Sequence, residues 1–132
     1  MRENELDVME EVLPGDVGIA KANPSIKVIV QEGVRDRLIF FKTGLAPWNN
    51  KALRQAFAYA LDRKSLVDVI YEGKFADVAY NPIGRAHGVW YDETIKTYEF
   101  NPQKAREKLA EAGYSKGFSY VETCYSAAFE IA

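Results

Sequence analysis

The sequence predicts a chain of the α/β (α+β) class, built from a helix pair and a short β-sheet. Runs of β-branched and aromatic residues, which are typical of strands, alternate with segments in which apolar residues recur every three or four positions, which is typical of amphipathic helices. Gly, Pro and Asn residues stand between these segments and mark where each one begins or ends.

Length and composition indicate one globular domain. The chain has 132 residues and a mass of 14.9 kDa, which is long enough to bury a core without metals or disulfides. Its hydrophobic fraction of 48% and charged fraction of 27% are ordinary for globular proteins. The formal net charge of -2 offers no electrostatic reason to expect nucleic acid or an anionic membrane as a partner.

Targeting and cysteine signals are sparse. Cys124 is the only cysteine, which excludes an intrachain disulfide and cysteine-rich metal sites. No apolar run approaches the roughly 20 residues needed to span a bilayer. The acidic start, MRENELDVMEEV, has no apolar segment of the kind found in signal peptides. We therefore expect neither a transmembrane helix nor a signal peptide. If the parent protein is secreted, we expect this chain to be a piece cut from its interior or from its mature form.

The first part of the chain predicts connecting chain and then two strands. Residues 1–24 are acidic and carry the turn signals LPGD and NPS, so we expect them to connect elements and to add little to a core. Ser25–Val30 and Arg37–Lys42 are β-branched and aromatic runs on either side of a polar segment around Gly33. They predict two strands that could form a hairpin.

Two consecutive helices are predicted between residues 49 and 74. Asn50 can cap the first of them, and an apolar stripe that starts at Leu53 predicts a face directed to the core. Asp62 can cap the second helix, and Gly73 can supply a left-handed residue at its end. The two stripes consist of Leu53, Ala56, Phe57, Ala60 and Leu61, and of Leu66, Val69 and Ile70.

The remaining chain predicts a loop, a third helix and a strand. Residues 75–100 mix Gly, Pro and aromatic residues without a sustained period, which indicates a long structured loop with short extended pieces. Asn101 as a cap and Pro102 at the first position begin a helix that Gly113 ends. Gly117–Ser126 then predicts a strand, and the residues after it predict the first turn of another helix.

The segment around Ser115 matches the short sequence pattern that surrounds the nucleophilic serine of many hydrolases. Gly113, Ser115 and Gly117 fit the pattern G-x-S-x-G, in which a strand precedes the nucleophile and a helix follows it. Here a helix precedes Ser115 and a predicted strand follows it. The two glycines are better explained as the end of a helix and as a turn, so we interpret Ser115 as a turn residue. We predict that the chain is not an enzyme.

Other reactive residues lack partners at a recognisable spacing. His87 is the only histidine and lies in a polar Gly-containing loop, where a surface role is favoured over general-base work with Asp92. His87, Asp92 and Glu93 make a weak metal set, and Cys124 is best interpreted as a small buried hydrophobe. No glycine-rich phosphate loop follows a strand. We predict no metal and no cofactor.

Aromatic and cationic side chains are the better binding candidates. Core packing is the ordinary role of aromatic residues, but those in predicted loops could form a binding wall with a polar edge. These are Trp48, Tyr80, Trp90 and Tyr91. Arg54, Arg63 and Arg85 could each pair with a carboxylate ligand. For Arg54 and Arg63 the favoured role is to face solvent or to tie a helix to a neighbouring acidic residue.

Three blocks of sequence follow one another in the order PWNNKALRQAFAYALDRKSLVDVIYEGK, AYNPI and YEFNPQKAREKLAEAGYSKGF. Together they resemble the family 5 extracellular solute-binding proteins, which are the receptors of ABC importers for peptides, nickel complexes and some oligosaccharides. Upstream, ENELDV and NPSIKVIVQEG are also similar to this family. The resemblance covers nearly the whole chain, and the order and spacing of the blocks make it specific.

The resemblance implies part of the C-terminal lobe of a two-lobed periplasmic-binding-protein-like fold. Residues 1–42 would be the lead-in and the inter-lobe crossover strands, and residues 43–132 the N-terminal part of a truncated second lobe. Phe40, Phe41, Lys42 and Thr43 would lie at the hinge, and Asn81 joins the ligand-binding candidates. Such receptors close two lobes over a ligand and need no catalytic groups.

The resemblance also implies partners and a location. We expect a peptide, or else an oligosaccharide, as the solute, an ABC permease as partner, a periplasmic or extracellular location, and membrane contact only through the permease or a lipid anchor absent here. A chain that contributes only one side of the binding cleft should not bind the solute with micromolar affinity by itself. We also expect self-association, because truncation would expose apolar helix faces. A stand-alone interaction module and a serine hydrolase remain as alternatives.

Overall fold

The structure is a computed structural model, and it describes residues 7–79, 81–95 and 97–121. These residues form four α-helices and one 3-10 helix. In chain order they are α1 (Pro14–Lys21), α2 (Lys51–Ala60), α3 (Arg63–Ile70), the 3-10 helix (Arg85–Trp90) and α4 (Pro102–Glu111). The helix pair α2 and α4 makes the main contact between elements. No helix in the described part of the chain is long and apolar enough to cross a bilayer.

The core lies between α2 and α4. Leu53 is its most deeply buried side chain, with 1% of its surface exposed, and small residues around it let the two helices approach closely. Two hydrogen bonds join the start of each helix to the end of the other: the Asn101 N–H donates to the carbonyl of Tyr59 (2.8 Å), and Asn50 Nδ2 donates to the carbonyl of Ala112 (3.4 Å). The two helices are therefore antiparallel.

The three predicted helix caps are confirmed. Asn50 Oδ1 accepts hydrogen bonds from the N–H groups of Ala52 (2.9 Å) and Leu53 (3.3 Å). Asp62 accepts from the Ser65 N–H at 3.1 Å, and Asn101 from the Lys104 N–H at 3.0 Å. Each bond satisfies a backbone donor that the first turn of a helix leaves without an intrahelical partner.

Asn50→Ala is expected to lower the free energy of unfolding by about 1–2 kcal/mol, because the change removes an N-cap and also the bond to the end of α4. Asn49→Ala is the matched control, since Asn49 is exposed and its side chain makes no hydrogen bond with the described residues. Urea denaturation followed by circular dichroism measures both. Equal losses in the two variants would contradict the assigned role of the cap.

The cap of α3 also predicts a pH dependence. The pKa of Asp62 lies below its ordinary value, first because of the backbone N–H of Ser65 and next because of the Ser65 hydroxyl. The stabilisation is present above the unfolded pKa of about 3.9 and is lost as the pH falls through the lower folded value. We expect Asp62→Asn to lose part of this acid sensitivity in thermal melts at descending pH. If the melting temperature fell with pH equally in the variant and in the wild type, this contribution of Asp62 would be ruled out.

The end of α4 follows the predicted glycine stop. The Tyr114 N–H donates to the carbonyl of Leu109 and the Gly113 N–H to that of Ala110, both at 2.9 Å, which is the Schellman arrangement. Gly113 has φ +86°, the left-handed conformation that this arrangement needs. Ser115 lies just beyond, exposed, in a turn.

One prediction for the first segment was wrong, because residues 14–21 form α1. Pro14 occupies the start of this helix, where its fixed φ is favourable and its missing N–H costs nothing. Asp16 in the first turn and Lys21 in the last turn complement the helix dipole. The LPGD sequence was interpreted only as a turn, although the same proline position also begins helices.

The predicted short β-sheet is not confirmed. Ser25–Val30 and Arg37–Lys42 contain no strand, and none is present elsewhere in the ranges that the structure describes. A strand exists only through hydrogen bonds to a neighbouring strand, so β-branched residues alone do not make one. The predicted strand Gly117–Ser126 is described only as far as residue 121, where it is irregular, and the helical turn predicted after it lies outside the described residues.

The long loop contains a helical turn that the sequence pattern did not show. The 3-10 helix Arg85–Trp90 is interrupted at Gly88, which has φ 60° and ψ -117°. That conformation is open to glycine and strained for other residues. The prediction of a structured loop over residues 75–100 therefore holds in the described residues, with a kinked helical segment in place of part of the irregular chain.

Candidate functional site

An aromatic cluster surrounds Trp48. The Trp48 ring lies 4.7 Å from that of Phe41, 5.8 Å from Phe57, 5.6 Å from Phe118 and 5.5 Å from Tyr120, measured between ring centroids. Three of these pairs are edge-to-face, an arrangement that ring quadrupoles favour. The predicted binding residue Trp48 and the predicted hinge residue Phe41 are thus in contact, and Trp48 is half-buried.

An apolar groove of about 330 Å³ runs between α2 and α4, beside this cluster. Phe57 and Ala60 line it from α2, Leu109 lines it from α4, and Phe118 lines it from the segment after α4. Among the described residues, Arg106 supplies the only charged side chain in its wall. The stripe on α2 was predicted to face a core, and the structure shows that part of it faces this groove. The contribution of Phe118 has no local sequence signal, because it depends on the turn after α4.

The four predicted hinge residues lie at a tight bend. The Thr43 N–H donates to the carbonyl of Phe41 (2.9 Å), and the Leu45 N–H donates to that of Lys42 (3.0 Å). Phe40 is 84% exposed, whereas the next side chain, Phe41, packs in the cluster. Lys42 and Thr43 are exposed. Their hinge role stays a prediction.

The loop that holds the other binding candidates is closed by Asn81. This residue is buried; its Oδ1 accepts from the Ile83 N–H at 2.9 Å, and its Nδ2 donates to the carbonyl of Asp92 at 3.1 Å. Both polar groups of the Asn81 amide are therefore engaged within the loop. Trp90 is 74% exposed, Tyr91 is half-buried, and Tyr80 lies outside the described residues.

Arg85 is held against Tyr91 in the same loop. Its guanidinium carbon lies 5.9 Å from the centroid of the Tyr91 ring, within the range of a cation–π contact. The pKa of Arg85 is raised, first by a side-chain hydrogen bond with Tyr91 and the charge interaction with it, then more weakly by Asp77 and Glu93. The side chain is exposed. Arg85 therefore presents a permanent positive charge at the surface.

The other two candidate arginines support the backbone. Arg54 Nη1 donates to the carbonyl of Trp48 at 2.6 Å. Arg63 Nη1 lies 3.3 Å from the carbonyl of Ala58 and 3.1 Å from that of Tyr98, so it ties the end of α2 to the segment before α4. Both roles were missed by the sequence interpretation, because a carbonyl acceptor leaves no mark in the residue pattern.

The structure does not bring the candidate catalytic and metal-binding side chains together in the described residues. His87 is exposed, and its Nε2 lies 3.2 Å from the carbonyl of Val34, so that nitrogen must carry a hydrogen and donate. Within the described ranges, no three His, Cys, Asp or Glu side chains could hold a metal ion together. Cys124 lies outside those ranges.

Comparison with known proteins gives a consistent result. Residues 1–130 match the family model described as bacterial extracellular solute-binding proteins, family 5 middle. The chain is 36% identical over 104 residues to heme-binding protein A of Haemophilus influenzae and 29% identical over 120 residues to the dipeptide-binding protein of Escherichia coli. These alignments cover 78% and 90% of the chain, and 18% and 22% of the relatives.

A solved structure shares the backbone arrangement. The periplasmic binding protein DppA of Helicobacter pylori, in complex with the peptide STSA, matches with a TM-score of 0.79 and 32% identity. The match covers 88% of the chain and 22% of that protein. The chain thus spans about a fifth of the length of the proteins that it matches.

Proposed function

Because the chain belongs to family 5 of the bacterial extracellular solute-binding proteins, we propose that it forms part of the substrate-binding component of an ABC importer and that the solute is a peptide. The backbone match to a protein that holds a bound peptide carries this proposal. The family consists of solute-binding transport proteins, so binding and release are the activities to seek, and we propose no catalytic step.

The proposed organisation follows the resemblance. Residues 1–42 would lead from a first lobe and cross between lobes, and residues 43–132 would begin the second lobe. The Phe41 and Phe57 rings, with centroids 5.3 Å apart, pack the end of the proposed crossover segment against α2. Because these two rings are packed together, a rotation of the chain at the bend around Thr43 would move α2, and with it α4.

The proposed ligand contacts centre on the loop after residue 79. Trp90 and Tyr91 present aromatic surface, Asn81 holds the loop closed, and Tyr80 and Trp48 complete the set of candidates. A peptide is preferred because several relatives are named for peptide binding or peptide transport and one matched structure holds a bound peptide. The runner-up is heme, which is named in the relative with 36% identity; an oligosaccharide is the other alternative.

The proposed setting is the cell envelope. The receptor would act in the periplasm or outside the cell, deliver its solute to a permease, and meet the membrane only through that permease or a lipid anchor. Exposed apolar side chains such as Ile29, Val69 and Val89 also favour self-association. A constant monomer mass in light scattering across a concentration series would contradict self-association.

The test begins with the gene. The DNA on either side of the coding segment is sequenced, the product of the whole reading frame is purified, and it is titrated by calorimetry with the tetrapeptide Ser-Thr-Ser-Ala, glutathione, heme and maltotriose. We expect a longer frame whose product binds the tetrapeptide with a Kd of about 1 μM or tighter. A frame that ends at these 132 residues, or tight binding of heme or the sugar alone, would overturn the proposal.

A further inference from the structure

The segment before the proposed hinge contacts the loop after residue 79 at two places. His87 Nε2 donates to the carbonyl of Val34 at 3.2 Å, although 53 positions separate the two residues. Three positions before His87, Gly84 leaves room for the side chain of Asp36. A Cβ atom on Gly84 would lie only 3.0 Å from Asp36 Oδ1, so this carboxylate lies close to the backbone of the loop. Two separate contacts therefore place residues 34–36 against the loop.

A third contact fastens residues 34–36, which we call the strap, to the start of the chain. The Arg35 guanidinium pairs with the carboxylate of Glu11, in the segment before α1. Residues 26–42 contain neither helix nor strand, so no regular backbone ladder fixes the strap. The contacts with Glu11, Gly84 and His87 therefore decide where the strap lies.

The strap and the loop lie on opposite sides of the bend at Thr43. The hydrogen bond from His87 to Val34 joins these two sides, so a rotation at the bend either carries the loop with the strap or breaks this bond. Trp90 belongs to the same 3-10 helix as His87, and Tyr91 follows directly after it. A shift of His87 would therefore also shift the two aromatic side chains that we propose as ligand contacts.

We propose that His87 is a positioning residue, which fixes the loop to the strap and so sets where Trp90 and Tyr91 lie relative to the segment before the hinge. His87 acts through the loop and touches no ligand. The tether between loop and strap does not depend on what the receptor binds, whereas its effect on the ligand rests on the proposed function.

The tether is tested first without a ligand, by deuterium exchange and mass spectrometry on the 132-residue chain. His87→Ala removes the donor, so the amides of residues 34–36 and 85–91 should both exchange faster, by at least about threefold, the scale of one lost hydrogen bond. His87→Gln should restore slow exchange in both segments, because the glutamine amide can donate to the same carbonyl.

Lys64→Ala is the matched control. Lys64 is also exposed and also makes a side-chain contact, with Asp68 on α3, outside both segments. This variant should leave the exchange of the strap and of the loop unchanged. Exchange in α2 and α4 should be the same in every variant, which distinguishes a released loop from general unfolding. If His87→Ala changed neither segment, or if His87→Gln behaved like His87→Ala, the tether would be wrong.

Arg35→Gln tests whether the strap passes its position on to the loop. The change removes the ion pair with Glu11. In the wild-type background it should speed exchange of residues 85–91, because a looser strap holds the loop less firmly. In the His87→Ala background it should have no further effect on the loop, since the connection is already broken. An equal effect in both backgrounds would show that His87 is not the connection.

The ligand step uses the product of the complete reading frame and the tetrapeptide Ser-Thr-Ser-Ala. Binding should slow exchange in both the loop and the strap of the wild type, and only in the loop of His87→Ala. If the peptide binds but leaves the strap of the wild type unprotected, the role of His87 in ligand binding is wrong and the peptide receptor stands. If the peptide does not bind, the proposed function fails, and the ligand-free exchange of the His87 variants still decides the tether.

Discussion

Replacing Leu53 with alanine is expected to lower the free energy of unfolding by about 2–5 kcal/mol. Leu53 is 1% exposed and lies where α2 meets α4, so alanine would leave a cavity between the helices. Few large side chains are buried in the described residues, and domains of this size are stable by only about 5–15 kcal/mol. The loss should therefore be a large share of the total, measured as a shift of the urea midpoint.

Leu66→Ala is the control for this prediction. Leu66 lies on α3 and is 45% exposed, so the same chemical change removes less buried surface and opens no cavity between packed helices. We expect a loss of less than about 1 kcal/mol. If both variants lost the same stability, Leu53 would not be the centre of the core.

Trp48→Ala is the second large effect, with an expected loss of about 3 kcal/mol, at the lower end for a packed aromatic because the ring is half-buried. The substitution removes the ring contacts that Trp48 makes with four aromatic neighbours, two of which, Phe57 and Phe118, also line the groove. Thermal and urea unfolding followed by circular dichroism would measure the change.

Trp90→Ala provides the contrast, because the same side chain is removed from an exposed loop position. Its effect on stability should stay within about 0.5 kcal/mol. A destabilisation as large as that of Trp48→Ala would show that Trp90 is a packing residue, and it would remove the support for Trp90 as a ligand contact.

The two tryptophans also show the limit of interpreting loop aromatics from sequence. Both lie outside the predicted strands and helices, and both were binding candidates for that reason. The structure places Trp48 against Phe57 and Phe118, which come from α2 and from the turn after α4. Residues 9 and 70 positions further along the chain thus decide its surroundings, and no local pattern contains that information.

The sequence by itself determined the helices α2, α3 and α4 and their beginnings. Asn50, Asp62 and Asn101 each bond to a backbone N–H two or three residues away, so both partners lie in one short stretch. Gly113 ends α4 by the same kind of local contact. The order of such blocks also identified the family, because their spacing reflects a shared fold.

Tertiary structure alone decided which side chains remain available for a ligand. The carbonyl of Tyr98 engages Arg63 from 35 positions away, and the Asp92 carbonyl engages Asn81 across the loop. Unlike the helix caps, neither pairing follows a residue type or a period, because any residue can supply a carbonyl. The strand predictions depended in the same way on a partner strand elsewhere in the chain. Local hydrogen bonds can be recognised from sequence, whereas long-range acceptors become known only when the chain is folded.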